Sequence, residues 1–367
     1  MRFPLNQAAN MATYIAKNKL RPKPEWQKNL AAVEDPKNPF RIVHTQIPSA
    51  KADRKPHPLI NKRFPLVMML EPLHACNLTC TGCGRIREYE TSVSSRLTLE
   101  QCLTAVDECN APMISICGGE PFLYPELPQL VDEILKRGKY IQLCTNALRL
   151  EQFLDVFQPD PRLTFVVHLD GMREIHDYVC DYPGLWDIAV DAIKKARAKG
   201  FRVSTNTTVF KETEVSDVIE MMRFLTDEVG IDGMLIAPGY QYSQIDPEMT
   251  MTREEHEAKF RAIRAEAKKK GYRWLASPIY QDFLTGERKL PCAPWGSITR
   301  NPYGWKGPCY LLTDGIFPTY EALLEGIEWD NYGPGNDHRC EHCGIHSGFE
   351  PAAAFASTAS ARETVRS

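Results

Sequence analysis

No stretch of this chain stays apolar long enough to cross a bilayer. Its longest apolar runs, such as PLVMML at 65–70, fall far short of the ~20 residues that a spanning helix requires, so an integral membrane protein is not expected. An excess of either charge is lacking too. With 44 Lys and Arg against 47 Asp and Glu, the formal net charge is −3, and nothing in the overall charge favours nucleic acid or an anionic surface as partner. No export signal is expected either: MRFPLNQAANMATYIAKNKL has neither a continuous apolar core nor a small-residue cleavage site. Twelve cysteines without such a signal point to a reducing cytoplasm, where clustered thiols hold metals more often than they form disulfides. Ala8, Met11, Ile15 and Leu20 share one helical face, expected to pack on the protein's own core. Peripheral association with the inner face of the cytoplasmic membrane is the alternative.

What is present is a chain of 367 residues, 43% hydrophobic, able to bury a substantial core. Residues 21–62 hold RPKPEW, EDPKNPF and ADRKPHP, proline-rich and charged, and read as an extended arm. Beyond them strand-like and helix-like segments alternate. PLVMMLEP precedes TLEQCLTAVDECN; PMISIC precedes a helical 126–138; YIQLCTN precedes 148–157; LTFVVHLDG precedes 185–199; FRVSTNTTVF precedes 214–229; GMLIAPG precedes 252–270. Six β/α units predict a parallel sheet, because each parallel connection needs a long crossover, and a partly closed barrel suits six better than a flat sheet. The motifs GGEP, CTNA, HLDG, NTT and APGY all follow strands, where a β/α barrel places its active site. The expected division is 1–62 as helix and arm, 63–285 as barrel, and 286–367 as a small C-terminal cysteine-containing extension.

The first strand leads into ACNLTCTGCG, with Cys76, Cys80 and Cys83 spaced C-x3-C-x2-C and no fourth cysteine nearby. Three thiolates can hold three irons of a [4Fe-4S] cubane and leave the fourth open. Zinc is the alternative, but a structural zinc wants four protein ligands, and His74 could serve only awkwardly. This loop after the first strand, with GGEP after the second, resembles the radical S-adenosylmethionine (SAM) superfamily. The resemblance implies a partial (β/α)6 barrel and a [4Fe-4S] cluster whose open iron takes SAM as co-substrate. It further implies that Gly118, Gly119 and Glu120 receive the amino group of the SAM methionine, and that Asn146, Asp170 and Asn206 lie among the SAM contacts. One departure stands out: many members carry an aromatic residue before the third cysteine, near adenine, where this chain has Gly82. The missing ring is expected to leave room around the adenosyl group.

Over roughly residues 63–350, segments including APMISICGGEP, VHLDGMREIHD, CAPWGSITRNPYGWKGPCYLL and WDNYGPGN resemble the HpnH family of adenosylhopane synthases. That resemblance implies joining of the 5′-deoxyadenosyl group of SAM to the alkene of diploptene or a related triterpene, with an electron donor such as flavodoxin or ferredoxin. A radical adding to an isopropenyl CH2 leaves a tertiary radical that a thiol can quench. Cys144, at a strand end, is the candidate donor and Cys117 its competitor. Tyr240, Tyr242, Trp274, Tyr280, Phe283, Trp295, Tyr303, Trp305 and Tyr310 are candidates to line an apolar pocket. Cys292, Cys309, Cys340 and Cys343 are candidates for a second iron–sulfur cluster or a zinc ion, with simple buried thiols as the alternative. Relatives continue C-x2-C-x3-C where this chain has Ser347, and His342 or His346 could compensate. Competing functions are a peptide-modifying radical SAM enzyme with an auxiliary iron–sulfur domain, action on another polyprenoid lipid, and a non-enzymatic electron carrier or zinc module.

Overall fold

Six strands of the sheet run parallel, each beside its predecessor: β1 (Val67–Leu70), β2 (Met113–Ile116), β3 (Tyr140–Thr145), β4 (Leu163–His168), β5 (Arg202–Val209) and β6 (Gly233–Pro238). The computed structural model describes residues 63–240 and 245–357, together with Asn10, Thr13 and Tyr14. No pairing joins β6 to β1 among these residues. The free side of β1 is taken instead by β7 (Ser297–Asn301), in parallel and in register Val67↔Ser297, followed by antiparallel β8 (Gly304–Pro308) and β9 (Thr313–Phe317). The architecture is therefore the expected mixed α/β fold with an open, six-unit parallel sheet. The C-terminal extension adds strands to that sheet rather than standing apart from it.

Local sequence explains the helices between strands. Leu127–Lys136 buries Leu127, Leu130, Val131 and Ile134, the i, i+3, i+4, i+7 set that one helical face presents, and each such side chain contributes about 1.5–3 kcal/mol of transfer energy. Thr98 with Gln101, and Thr252 with Glu255, form capping boxes that start Leu99–Cys109 and Arg253–Lys270. The predicted helix at 148–157 shrinks to Leu150–Phe153, and the turns that follow bring Phe157, like Phe153, edge-on to Phe122. Two helices without a sequence signal, Gly84–Glu88 and Arg173–Cys180, follow the first and fourth strands.

Along β3 burial alternates: Ile141, Leu143 and Thr145 are buried, whereas Gln142 and Cys144 are half-buried. Period-2 alternation of this kind marks the helix-covered and lumen faces of the sheet. The arm at 21–62, and Ala8, Met11, Ile15 and Leu20, lie outside the described residues. Asn10, Thr13 and Tyr14 are helical and touch the barrel: the Tyr14 ring meets Phe64 edge-on at 6.0 Å, and its hydroxyl donates to the Asn110 carbonyl at 3.2 Å. No helix among the described residues is long and apolar enough to cross a membrane.

Candidate active site

The cysteine loop leaves β1 at Glu71 and ends at Cys83, which precedes the helix Gly84–Glu88. Its three thiols are half-buried, and its underside packs Leu78 against Cys180 and Leu185. Thr81 N–H donates to the Val179 carbonyl at 2.8 Å, fixing the loop to the helix after β4. Burial pushes the Cys76 thiol up to about 12 and raises Cys83, whereas a hydrogen bond with the Cys180 thiol, outweighing burial, pulls Cys80 down to about 7. Cys80 and Cys83 also act on Cys76, so the three sulfurs are electrostatic neighbours.

GGEP seats this loop. A Cβ on Gly119 would lie 1.9 Å from the Ala75 carbonyl oxygen, and one on Gly118, at φ +104°, would meet Glu71 Cβ at 2.8 Å. Only glycine permits so close an approach of two backbones. Gly119 N–H then donates to the Leu73 carbonyl at 3.2 Å and Glu120 N–H to that of Ala75 at 2.8 Å. Glu120, 2% exposed, points inward. Its Oε1 accepts from Phe122 N–H at 3.1 Å and Thr145 Oγ1 at 2.8 Å, and its Oε2 from Asn146 N–H at 2.9 Å. Of about four lone-pair positions, one on Oε2 is left for a further donor. Burial pushes this carboxyl up to about 7.

The remaining predicted contacts surround the same strand ends. Asn146 Nδ2 donates to Asn77 Oδ1 at 2.8 Å, tying the end of β3 to the residue after Cys76. Asp170 Oδ1 accepts from Thr208 N–H at 2.8 Å, and its Oδ2 lies 2.9 Å from His168 Nε2. Burial opposes a charge on His168, but Asp170 prevails and holds its pKa at about 9. Asn206 pairs in register with His168 and is exposed in mid-strand. With helices over the other face, such exposure occurs only toward the open lumen. Cys144 lies 3.6 Å from Ser115 Oγ, and the buried Cys117 is close enough to feel its charge.

Two expectations change. The space opposite Gly82 is filled by the ring of Phe210, from the end of β5: a Cβ on Gly82 would meet its Cζ at 2.6 Å, and one on Gly239 its Cδ1 at 2.7 Å. An aromatic ring thus sits beside the third cysteine, supplied from another strand. Several aromatics expected to line a pocket are core instead. Tyr280 and Trp305 are fully buried, with Tyr280 donating to the Gly344 carbonyl at 2.8 Å and Trp305 Nε1 to Glu108 at 3.0 Å; Trp274 and Phe283 are buried as well. Tyr242 lies outside the described residues.

Sequence reading missed a buried charge network beneath the loop. Arg85 Nε lies 3.3 Å from Glu71 Oε1, Arg85 also pairs with Glu88, and Lys306 Nζ from β8 lies 2.8 Å from Glu88 Oε1. Tyr89 donates to Glu71, and Arg85 donates to the Tyr310 carbonyl while lying over the Tyr310 ring at 3.7 Å. Two acids and two bases balance, as burial demands. Only the partition of charge between positions far apart in the chain could have hinted at it.

The four C-terminal cysteines come together. Cys292, Cys309, Cys340 and Cys343 line one cavity with Pro294, Pro308, Leu311, Ile345 and Phe349, whereas His342, His346 and Ser347 are not among its lining residues.

Residues 70–225 match the radical SAM superfamily, so the chain carries a radical SAM domain, of a family that uses a [4Fe-4S] cluster and SAM. Residues 234–367 match a domain of unknown function, DUF3463. Among curated proteins the chain is similar to Fe-coproporphyrin III synthase of Methanosarcina barkeri, 26% identical over 158 residues, 42% of this chain and 39% of that protein. It is similar as well to the PqqA peptide cyclase of Gluconobacter oxydans, 25% identical over 286 residues, 72% and 76% of the two chains. The subtilosin biosynthesis protein AlbA of Bacillus subtilis is 25% identical over 285 residues, 73% of this chain and 59% of that protein. In fold the chain resembles Streptococcus suis SuiB bound to its precursor peptide SuiA, with TM-score 0.61 at 14% identity over 78% and 71% of the two chains.

The residues present fit the family's cluster. Cys76, Cys80 and Cys83 would hold it, on a loop seated against glycine backbone. Among the described residues no three Cys, His, Asp or Glu side chains converge on a single ion, and thiolates that each bind a different iron of a cubane need not converge.

Proposed function

We propose that the protein is a radical SAM adenosyltransferase that joins the 5′-deoxyadenosyl group of SAM to the alkene of diploptene, giving adenosylhopane. The reading starts from the resemblance of residues 63–350 to the adenosylhopane synthases. The observation that carries it is the thiol of Cys144, set on the lumen face of β3 near Ser115 and the strand ends, with Cys117 as neighbour. When bound and reduced, the cluster supplies the electron that splits SAM into methionine and the 5′-deoxyadenosyl radical. Addition to the terminal CH2 leaves a tertiary carbon radical, and Cys144 gives it a hydrogen atom. The resulting sulfur radical regains an electron from a flavodoxin- or ferredoxin-type donor and a proton from water. Burial pushes Cys144 up to about 11, which keeps hydrogen on sulfur at neutral pH. In this reading Glu120 Oε2 takes one donor from the SAM amino group, and Asn206 and the His168–Asp170 pair face the rest of the nucleoside.

A second reading, modification of a peptide, is favoured by the names of the relatives: a peptide cyclase and a bacteriocin biosynthesis protein. They support it better than they support a triterpene substrate. The test is an anaerobic assay of reconstituted protein with SAM, a strong reductant and diploptene, read by mass spectrometry. Adenosylhopane is expected from the wild type, with Cys144→Ala still cleaving SAM but losing at least tenfold in adduct. Free 5′-deoxyadenosine without adduct sinks the triterpene reading and turns attention to peptides or other polyprenoids; full adduct from Cys144→Ala removes that residue as donor.

A further inference from the structure

A polar cavity lies at the end of the barrel where the strands begin, opposite the cysteine loop. We propose that this cavity, between Gln142 and Thr164, admits solvent to the lumen, and that Ser115 carries a proton from there to the sulfur of Cys144. The proposal deepens the reading of Cys144 as hydrogen-atom donor and rests on it.

Strand register places the parts. On the lumen face Ser115, Gln142, Thr164 and Arg202 stand side by side, one on each of β2 to β5. One step nearer the mouth, Cys144, Val166 and Ser204 make the next layer, followed by His168 and Asn206. Burial does not fall steadily along this series. Gln142, Thr164 and Arg202 are half-buried, Val166 and Ser204 are buried, and Asn206 is exposed again. Solvent that touches the first layer therefore enters where the strands begin and not past Asn206. The cavity there has a volume of about 480 Å³, and Gln142, Thr164, Arg202 and Ser204 line it together with Arg162 and Asp232. The interior of a β/α barrel is ordinarily filled by branched apolar side chains; this layer is polar instead. Its charged groups are already engaged: Asp232 accepts from Arg197 at 2.6 Å and from Val203 N–H at 2.8 Å, Arg162 donates to Asp160 at 2.8 Å, and Arg202 donates to the Pro161 carbonyl at 3.1 Å. An ordered water needs two to four polar partners, and the Gln142 amide with the Thr164 and Ser204 hydroxyls can supply them.

Ser115 joins this layer to the thiol. It is buried, it pairs in register with Gln142, and its Oγ lies 3.6 Å from Cys144 Sγ. A seryl hydroxyl has one donor and two lone pairs, so it can donate to the sulfur while accepting from a cavity water. Such a route is needed once the sulfur radical has gained its electron from the flavodoxin- or ferredoxin-type donor. On the mouth side the co-substrate and an apolar alkene exclude water. The thiolate then takes the Ser115 proton: an S–H bond forms as the seryl O–H breaks. A cavity water returns a proton to the seryl oxygen, and the hydroxide left behind passes to bulk solvent. Burial, which holds Cys144 neutral at ordinary pH, favours the transfer.

The experiment is infrared spectroscopy of the S–H stretch on the full chain, reconstituted, oxidised and saturated with SAM, so that the mouth is filled and no turnover occurs. The Cys144 band is the one lost in Cys144→Ala, and its exchange to S–D is timed after transfer into D2O. Ser115→Ala should move the band to higher wavenumber and slow exchange by on the order of a hundredfold. Ser115→Thr, which keeps the hydroxyl, should restore both. Gln142→Leu combined with Thr164→Val should slow exchange without moving the band, whereas a general loosening of the fold would speed it. Should Ser115→Ala misfold by circular dichroism, the Gln142 and Thr164 pair carries the test. Exchange at the wild-type rate in that pair, or a band unmoved by Ser115→Ala, overturns the proposal. The donor reading fails by a different result, full adduct from Cys144→Ala, which these spectra do not use.

Discussion

Replacing Gly119 by alanine tests whether the GGEP turn positions the cysteine loop by backbone contact. The new Cβ would stand 1.9 Å from the Ala75 oxygen and 2.5 Å from its carbonyl carbon, and real Cβ atoms do not approach closer than about 3 Å. Backbone cannot rotate away as a side chain can, so Ala75 must retreat by roughly 1 Å, carrying Cys76 with it. That motion breaks or stretches the bonds from Gly119 N–H to Leu73 and from Glu120 N–H to Ala75, at about 1 kcal/mol each. The stability loss is therefore about 2–3 kcal/mol. Function should suffer more, since a displacement near 1 Å in a reacting constellation costs on the order of a hundredfold. Reductive SAM cleavage, followed as 5′-deoxyadenosine by liquid chromatography, should fall by that factor. Gly138→Ala is the control: its φ is +72°, but nothing lies within 4 Å of the added Cβ, so it should cost about 1 kcal/mol and leave cleavage unchanged. Wild-type cleavage by Gly119→Ala, or equal losses in both variants, would refute the argument.

Two further outcomes are expected. Gly82→Ala should destabilise by about 1–3 kcal/mol through its clash with Phe210; in a Phe210→Ala background that cost should largely vanish, and additive effects in the double-mutant cycle of thermal melts would exclude the contact. Glu350, which accepts from Ser277 N–H at 2.8 Å and Ser277 Oγ at 3.1 Å, is pushed by burial up to about 7. A carboxyl raised from its ordinary 4.5 resists ionising in the folded chain, so stability should improve as pH falls from 8 toward 5. Glu350→Gln should lack that increment, and melting curves that move in parallel with pH for both proteins would show the carboxyl to be indifferent.

The six parallel strands and the loop at their first end were legible because most of the strands are runs rich in apolar or β-branched residues that stop at a polar motif. PMISIC, YIQLCTN and LTFVVHLDG needed no tertiary information. The strands β7 to β9 were not foreseen: SITRN, GWKGP and TDGIF are short and carry glycine, proline or charge, and what makes them strands is the open edge of β1. In the site, spacing located the cysteines and GGEP. It could not reveal that Glu120 spends three acceptor positions on its own fold, or that Phe210 occupies the space left by Gly82. Both depend on which strand ends become neighbours. The clustering of the four late cysteines was visible as composition, but Cys292 and Cys309 are far from Cys340 in the chain, and only the cavity shows them together.

The pairing of β1 with β7 has a consequence for biosynthesis. The strand that bears the cysteine loop leaves the ribosome long before the partner for one of its edges, which begins at Ser297. Until then β1 presents unpaired amides and carbonyls, a template for the wrong strand. Such a distant pairing is slow to form, because loop-closure entropy is lost before the contact rewards it. The free edge of the loop-bearing strand is thus closed only after the residues from Ser297 onward have been made. A chain cut short before Ser297 would leave the loop-bearing strand with an unprotected edge.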